Sequence, residues 1–285
     1  MQHTMDLIVD GLRTVVYDND NLRQSPREEA VVFVHGNPGS IEDWEALLPE
    51  IGTFARVVAM DLPGFGRSEH PSRFNFSVRG YSEFLEKLLL ARGITRAHLV
   101  LHDFGGPFGL AWAALHPTAL GSMTLIDTGI LKGYRWHTMA KLWRTPIVGE
   151  LVQLLSQDAT IQWALQRQNP LPLPHAVTAR IARYMDWHHK LAVLQLYRNA
   201  QPVDEQVDAV VDTLRERNPP ACVIWGAQDP FLPAKLAHQQ VEALPRAEVH
   251  VLDGLGHWPF IDDPQTVQRI LTPFLKNAVG RSEPA

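Results

Sequence analysis

The sequence predicts an α/β protein with a wound, mostly parallel sheet and a helical insertion, and three observations predict it. Short β-branched runs recur between stretches of helical periodicity, as expected for strands covered by helices on both faces. From Asp127 to Ala221 the pattern changes to helical character with many Trp and Pro and no strand signal. Polar, glycine-rich segments follow the strand ends, where an open α/β sheet places its ligands.

Strands are predicted at Ala30–His35, Arg56–Met60, Ala97–Leu101, Met123–Ile126, Ala221–Trp225 and Glu248–Leu252. Helix is predicted over Ser77–Arg92, where Tyr81, Phe84, Leu85, Leu88 and Leu89 recur at three- and four-residue spacing, and over Gly105–His116. Within the insertion, helices are predicted at His137–Leu155, Ala159–Gln168, His175–His189 and Leu191–Asn199, with a Pro-rich turn at Asn169–Pro174. The expected division is a core from 1–128, a helical lid from 129–215 and the rest of the core from 216–285. The chain then ends in a helix and a polar tail, Gly280–Ala285, expected to fray. No internal repeat is found.

A length of 285 residues suits one core with an insertion, and 45% hydrophobic with 20% charged residues excludes a disordered or collagen-like chain. The 26 Lys and Arg against 31 Asp and Glu leave a net charge of -5, so nucleic acid and anionic membrane are not expected partners. The single cysteine, Cys222, lies in the apolar run Ala221–Trp225 and reads as a buried hydrophobe without a disulfide. With no leader-like N-terminus and no long uncharged apolar run, a cytoplasmic protein is expected, as monomer or homodimer. The sequon Asn75-Phe76-Ser77 carries no weight there.

The segments that follow the strands are His35-Gly36-Asn37-Pro38-Gly39, Asp61-Leu62-Pro63-Gly64-Phe65-Gly66, His102-Asp103-Phe104-Gly105-Gly106, Asp127, Asp229 and Gly256-His257-Trp258. In these residues the chain resembles the α/β-hydrolase superfamily over nearly its whole length, within the branch that holds epoxide hydrolases and haloalkane dehalogenases. The resemblance implies an eight-stranded, mostly parallel sheet with a helical cap inserted after the sixth strand. It also implies the chain order nucleophile, acid, histidine as Asp103, Asp229 and His257. Asp127 rivals Asp229, because some relatives carry the acid after the sixth strand.

The elbow needs small residues after the nucleophile, which Gly105 and Gly106 supply; Leu101 departs from the family's usual glycine and requires smaller neighbours or a more open turn. By itself, Asp103 reads equally as a helix cap. The elbow residue is Asp, and that selects the reaction: a carboxylate attacking an sp³ carbon forms an alkyl ester that water can cleave. His257 would activate that water, oriented by the acid. By resemblance, the backbone N–H groups of Asn37 and Phe104 form the oxyanion hole, and Pro38 fixes its loop through a cis bond. His35, Pro38, Trp136, His137 and Trp258 are expected to line the substrate pocket. Asp61 reads as loop scaffolding.

Two substrates remain open. Leu196-Tyr197-Arg198-Asn199 resembles the lid segment of epoxide hydrolases and makes Tyr197 the proton donor to an opening ring; Tyr134, Tyr184 and His137 stand as candidates for a second donor. For the dehalogenase, Asn37 resembles a halide-binding Asn, but Phe104 offers no N–H where those enzymes use Trp. A lid Trp, Trp136, Trp143 or Trp163, is left to compensate. Packing explains Tyr197 almost as well. Gly64–Ser68 lacks the features of a phosphate loop, and His188-His189 lack metal-ligand spacing, so neither cofactor nor metal is expected. The reading is an epoxide hydrolase for a small hydrophobic substrate, with a non-catalytic binding protein on the same fold as the alternative of another class.

Overall fold

The computed structural model describes residues 3–20, 27–132, 134–200 and 204–280. The tail expected to fray lies, beyond Gly280, outside them. Among the described residues the strands are β1 Thr4–Val9, β2 Leu12–Asp18, β3 Glu29–Val34, β4 Val57–Met60, β5 Arg96–His102, β6 Leu120–Ile126, β7 Ala221–Gly226 and β8 Ala247–Leu252. They form one sheet in the order β1-β2-β4-β3-β5-β6-β7-β8. β1 pairs with β2, and β2 with β4, antiparallel; every other pairing is parallel. Every residue of β6 and β7 is buried; β7 reads as an unbroken apolar run for that reason, while β6 also buries Ser122 and Thr124.

The β1–β2 hairpin is absent from the six strands located by pattern alone. Its signal is Asp10-Gly11, a dipeptide suited to a tight turn, and both residues adopt positive φ, 53° and 79°.

The first helices are α1 Leu48–Gly52, α2 Val78–Ala91 and α3 Gly105–Leu115. Ser77 starts α2 by accepting the Gly80 N–H at 3.2 Å. Tyr81, Phe84, Leu85 and Leu88 of α2 share one core with Phe108 and Trp112 of α3 and with Val32 and Val34 of β3. The alternate residues Val31 and Phe33 point into the opposite core.

Between β6 and β7 run α4 Thr138–Arg144, α5 Val148–Leu155, α6 Asp158–Gln168, α7 His175–Tyr184, α8 Trp187–Asn199 and α9 Asp204–Arg217. The single helix expected over His137–Leu155 breaks at Thr145-Pro146-Ile147, where Pro146 lacks an N–H and Ile147 takes φ 70°. The helix expected over His175–His189 stops at Tyr184, and Asp186 caps α8 by accepting the His189 N–H at 2.8 Å. Sequence reading missed α9, although Val207, Val210, Val211 and Leu214 keep helical spacing in its charged stretch. The chain continues through α10 Lys235–Gln239, α11 Pro259–Asp262 and α12 Pro264–Ala278, and α12 buries Val267, Leu271 and Leu275 in the core opposite α2 and α3. Among the described residues no helix is long and apolar enough to cross a membrane.

Candidate active site

Asp103 sits where β5 turns into α3, with φ 48°. That left-handed conformation is strained for a residue with a side chain, and the surroundings enforce it. A Cβ on Gly105 would lie 2.2 Å from the Val34 carbonyl oxygen, and one on Gly106 would lie 1.9 Å from Thr128 Oγ1. The Thr128 hydroxyl donates to the Asp103 carbonyl oxygen at 2.5 Å. Leu101 finds its room at Gly109, where a Cβ would come within 2.5 Å of the leucine methyl. The departure from the family's elbow pattern is thus matched by a small neighbour one helical turn away.

Around this tip the sheet brings together residues far apart in sequence. The Asn37 N–H donates to Asp103 Oδ1 at 2.7 Å. His257 Nε2 lies 3.5 Å from Asp103 Oδ2, and His257 Nδ1 lies 2.7 Å from Asp229 Oδ2. Asp229 Oδ1 accepts the N–H groups of Phe231 and Leu232 at 2.7 and 2.9 Å. His102 Nε2 lies 2.8 Å from the His257 carbonyl oxygen, so that ring nitrogen carries the proton. Sequence reading missed this brace, although His102 directly precedes Asp103.

Burial favours neutral forms at this site, but paired charges win where they meet. Desolvation pushes the Asp103 carboxyl up, while contact with His257 pulls it further down, leaving it below the usual range. Desolvation opposes the His257 charge, yet Asp229 and Asp103 together lift its pKa well above 6.5. Asp229 falls below its ordinary value because the imidazolium outweighs burial. His102 is pushed down to about 3 by burial and by the neighbouring His257 charge, which outweigh the Asp103 and Asp229 carboxylates, and it stays neutral.

Asp127 is fully buried beside this group; its Oδ1 accepts the Gly226 N–H at 2.9 Å, and the His257 hydrogen bond goes to Asp229. Donor atoms of Asp127, Asp229 and His257 lie within 4.8 Å of one another, the one cluster of metal-ligand composition among the described residues. Asp229 already accepts three hydrogen bonds there.

A cavity of about 560 Å³ opens over Asp103. Asn37, Pro38, Asp103, Phe104, His257 and Trp258 form its floor, and Tyr134, Trp136, His137, Trp143, Trp163 and Tyr197 line the side of the helical segment. The Asn37–Pro38 peptide is cis. Among the described lining residues there is neither Lys nor Arg, and Asp103 is the one acid.

Two expectations are corrected. His35 does not line the cavity: its Nε2 accepts the Leu62 N–H at 3.0 Å and its Nδ1 lies 2.8 Å from the Gly36 carbonyl oxygen, so the ring braces two loops from beneath. Tyr184 faces away, donating to Glu42 Oε2 at 2.8 Å. Tyr134, by contrast, reaches the cavity near Asp103, and burial with that charge raises its pKa to about 12. Tyr197 packs 4.9 Å from the rings of both Phe104 and Trp143, and burial holds its phenol well above 10. Phe231 was overlooked; its ring lies 5.0 Å from that of His257. Asp61 scaffolds its loop, accepting the Ile41 N–H at 2.7 Å and the Arg67 guanidinium at 3.0 Å.

Comparison with known proteins agrees with this architecture. A 2-hydroxy-6-oxononadienedioate/2-hydroxy-6-oxononatrienedioate hydrolase of Burkholderia vietnamiensis is 26% identical over 287 residues, covering 95% of this chain and 94% of its own. A 2-hydroxy-6-oxo-6-phenylhexa-2,4-dienoate hydrolase of Burkholderia cepacia is 25% identical, covering 90% and 91%. The crystal structure of the haloalkane dehalogenase DbeA from Bradyrhizobium elkani superposes with a TM-score of 0.84 at 21% identity, covering 98% and 99%, and so shares the fold. The sequence model of the alpha/beta hydrolase fold matches residues 29–264, and the chain belongs to that family.

Proposed function

We propose that this hydrolase opens a small hydrophobic epoxide through an alkyl ester on Asp103. The observation that carries the reading is a carboxylate, not a hydroxyl or thiol, at the elbow tip, in a cavity that two protonated phenols also line. Asp103 attacks an sp³ carbon of the ring, the ring C–O bond breaks, and Tyr197 with Tyr134 donates to the oxygen as it leaves. Alkylation removes the Asp103 charge that helps hold the proton on His257. Overall, the proton lost by the imidazolium ends on the opened oxygen.

His257 is then neutral, with Nδ1 fixed on Asp229 and Nε2 free to take a proton from water. That water attacks the Asp103 carboxyl carbon, negative charge develops on the carboxyl oxygen, and the bond from that carbon to the substrate oxygen then breaks. The departing alkoxide takes the carboxyl proton and leaves as the diol, with Asp103 ionised and His257 protonated again. The Asn37 N–H already bonds Oδ1 in the resting state. It forms the oxyanion hole with the Phe104 N–H, each such donor contributing about 3 kcal/mol. The helices between β6 and β7 act as the lid that keeps bulk water out, with Trp136 and His137 on its side of the cavity and Trp258 on the floor facing them.

Specific atoms favour haloalkane dehalogenation as the second reading. The Asn37 amide nitrogen and Trp143 Nε1 are buried without a hydrogen-bond partner among the described residues, and two N–H donors suit a departing halide. Carbon–carbon hydrolysis, named for the Burkholderia relatives, fits less well. A dioate needs cations, and no Lys or Arg is among the described residues lining the cavity. An elbow carboxylate attacking a carbonyl would also form a reactive anhydride.

Parallel incubation with styrene oxide, 1-bromobutane and a 2-hydroxy-6-oxo-dienedioate separates these readings. Diol formation supports the proposal, bromide release selects the dehalogenase, and dienoate cleavage overturns both. Binding without turnover of any of them points to a receptor.

A further inference from the structure

Two buried carboxyl groups stand behind one imidazole, and the reaction above uses one of them. Asp127 leaves β6 with φ 43°, an unfavourable backbone for Asp. Its Oδ1 takes the Gly226 N–H, but its Oδ2 is buried with no partner among the described residues. Asp229 Oδ1 accepts the Phe231 and Leu232 N–H groups and its Oδ2 meets His257 alone, which leaves Oδ2 room for one more donor.

With Asp103, these groups would place three negative charges around one imidazolium. A buried carboxylate oxygen facing a second carboxylate without a donor is costly, and like charges this close do not both ionise. If Oδ2 of Asp127 carries a proton, the orphaned acceptor becomes a donor, and the nearest acceptor of suitable charge is Asp229.

We propose that Asp127 and Asp229 form a proton-sharing carboxyl pair behind His257, with Asp127 as a neutral acid that donates to Asp229 and replaces it beside the imidazole when Asp229 is lost. Asp127 is thus a positioning residue. The donated hydrogen bond draws charge from Asp229 and moderates its pull on the imidazolium proton. The charged and titratable groups facing the pair are His257, and through it Asp103 and His102. Burial and the Asp229 charge raise the Asp127 carboxyl well above the ordinary range, in agreement with the geometry. The replacement half of this inference rests on the proposed role of His257; the protonation half does not.

Infrared spectroscopy of the intact protein at about pH 8 tests the protonation half without substrate. At that pH Asp43, pushed up to about 6 by burial, has lost its proton. The expected result is a carboxylic-acid C=O band in the unaltered protein that disappears in Asp127→Asn and shifts in Asp229→Asn, where its acceptor has changed. Asn at 127 keeps an oxygen for the Gly226 N–H and an N–H for Asp229, so the fold is expected to survive. Absence of the band, or its persistence unchanged in both variants, overturns the pair.

The replacement half is read from turnover. Asp229→Asn retains residual activity, and Asp229→Asn with Asp127→Asn falls at least about 10-fold lower. Equal rates in the single and double variants overturn it. If no substrate is turned over at all, the proposed reaction fails while the infrared result still decides the pair.

Discussion

The two walls of the cavity are built on different principles. The floor, at the strand ends, is polar and tied down: Asp103, Asn37, His257 and Asp229 form a continuous set of hydrogen bonds and ion pairs, and Gly105, Gly106 and Thr128 lock the elbow beneath them. The roof, between β6 and β7, is aromatic: Tyr134, Trp136, Trp143 and Tyr197 pack ring against ring, with Arg144 and Arg198 bonding the Tyr197 and Trp143 carbonyls behind them. The floor's chemistry follows from elements that cannot shift without breaking the sheet. The roof's depends on how helices lean, so reaction type belongs to one wall and substrate choice to the other.

The largest test of this division removes the floor's nucleophile. Asp103→Ala is expected to lower turnover of every substrate by at least about 10³-fold while the circular dichroism spectrum stays native. Retained activity would move the reaction off the elbow. His257→Gln should alkylate but not release. Mass spectrometry of the Asp103 peptide after a short incubation is expected to show one substrate mass added, and steady turnover should stop after a single cycle.

A roof variant should discriminate between substrates where floor variants do not. Tyr197→Phe is expected to cost about 10²-fold in kcat on styrene oxide and under about 3-fold on 1-bromobutane, since only the alkoxide needs an acid. An equal loss on both would make Tyr197 a packing residue and erase the contrast between the walls.

The smallest effect is on stability against pH. Because His257 has its pKa raised above 6.5 by Asp229 and Asp103, its ion pairing stabilises the fold fully below the unfolded value and less as pH rises through the folded one. Tm is expected to fall from about pH 7 to about pH 10, with a flatter slope in Asp103→Asn. An unchanged slope would separate the imidazole from the elbow.

The same contrast decides what could be read from the sequence. Asp103, Asp229 and His257 lie in short loops whose glycines and chain order announce special backbone, so their convergence was legible. His35 misled because adjacency in a loop says nothing about side-chain direction, and its ring turns under the sheet ends to hold Leu62. In the roof, Tyr134 precedes α4 outside any periodic stretch, and the break at Pro146 changes which faces of α4 and α5 meet the cavity. No local pattern ranks Tyr134 above Tyr184; packing separates them. The β1–β2 hairpin is a different case, since Asp10-Gly11 carried the turn signal but the flanking strands mix exposed and buried positions.

Single-turnover hydrolysis in heavy-oxygen water, with enzyme in excess over styrene oxide, tests the ester on Asp103 most directly. The heavy atom is expected in the Asp103 carboxyl group, with the diol taking its new oxygen from the protein. Label confined to the diol, with the Asp103 peptide unlabelled, would mean that water attacks the substrate itself and that no ester forms.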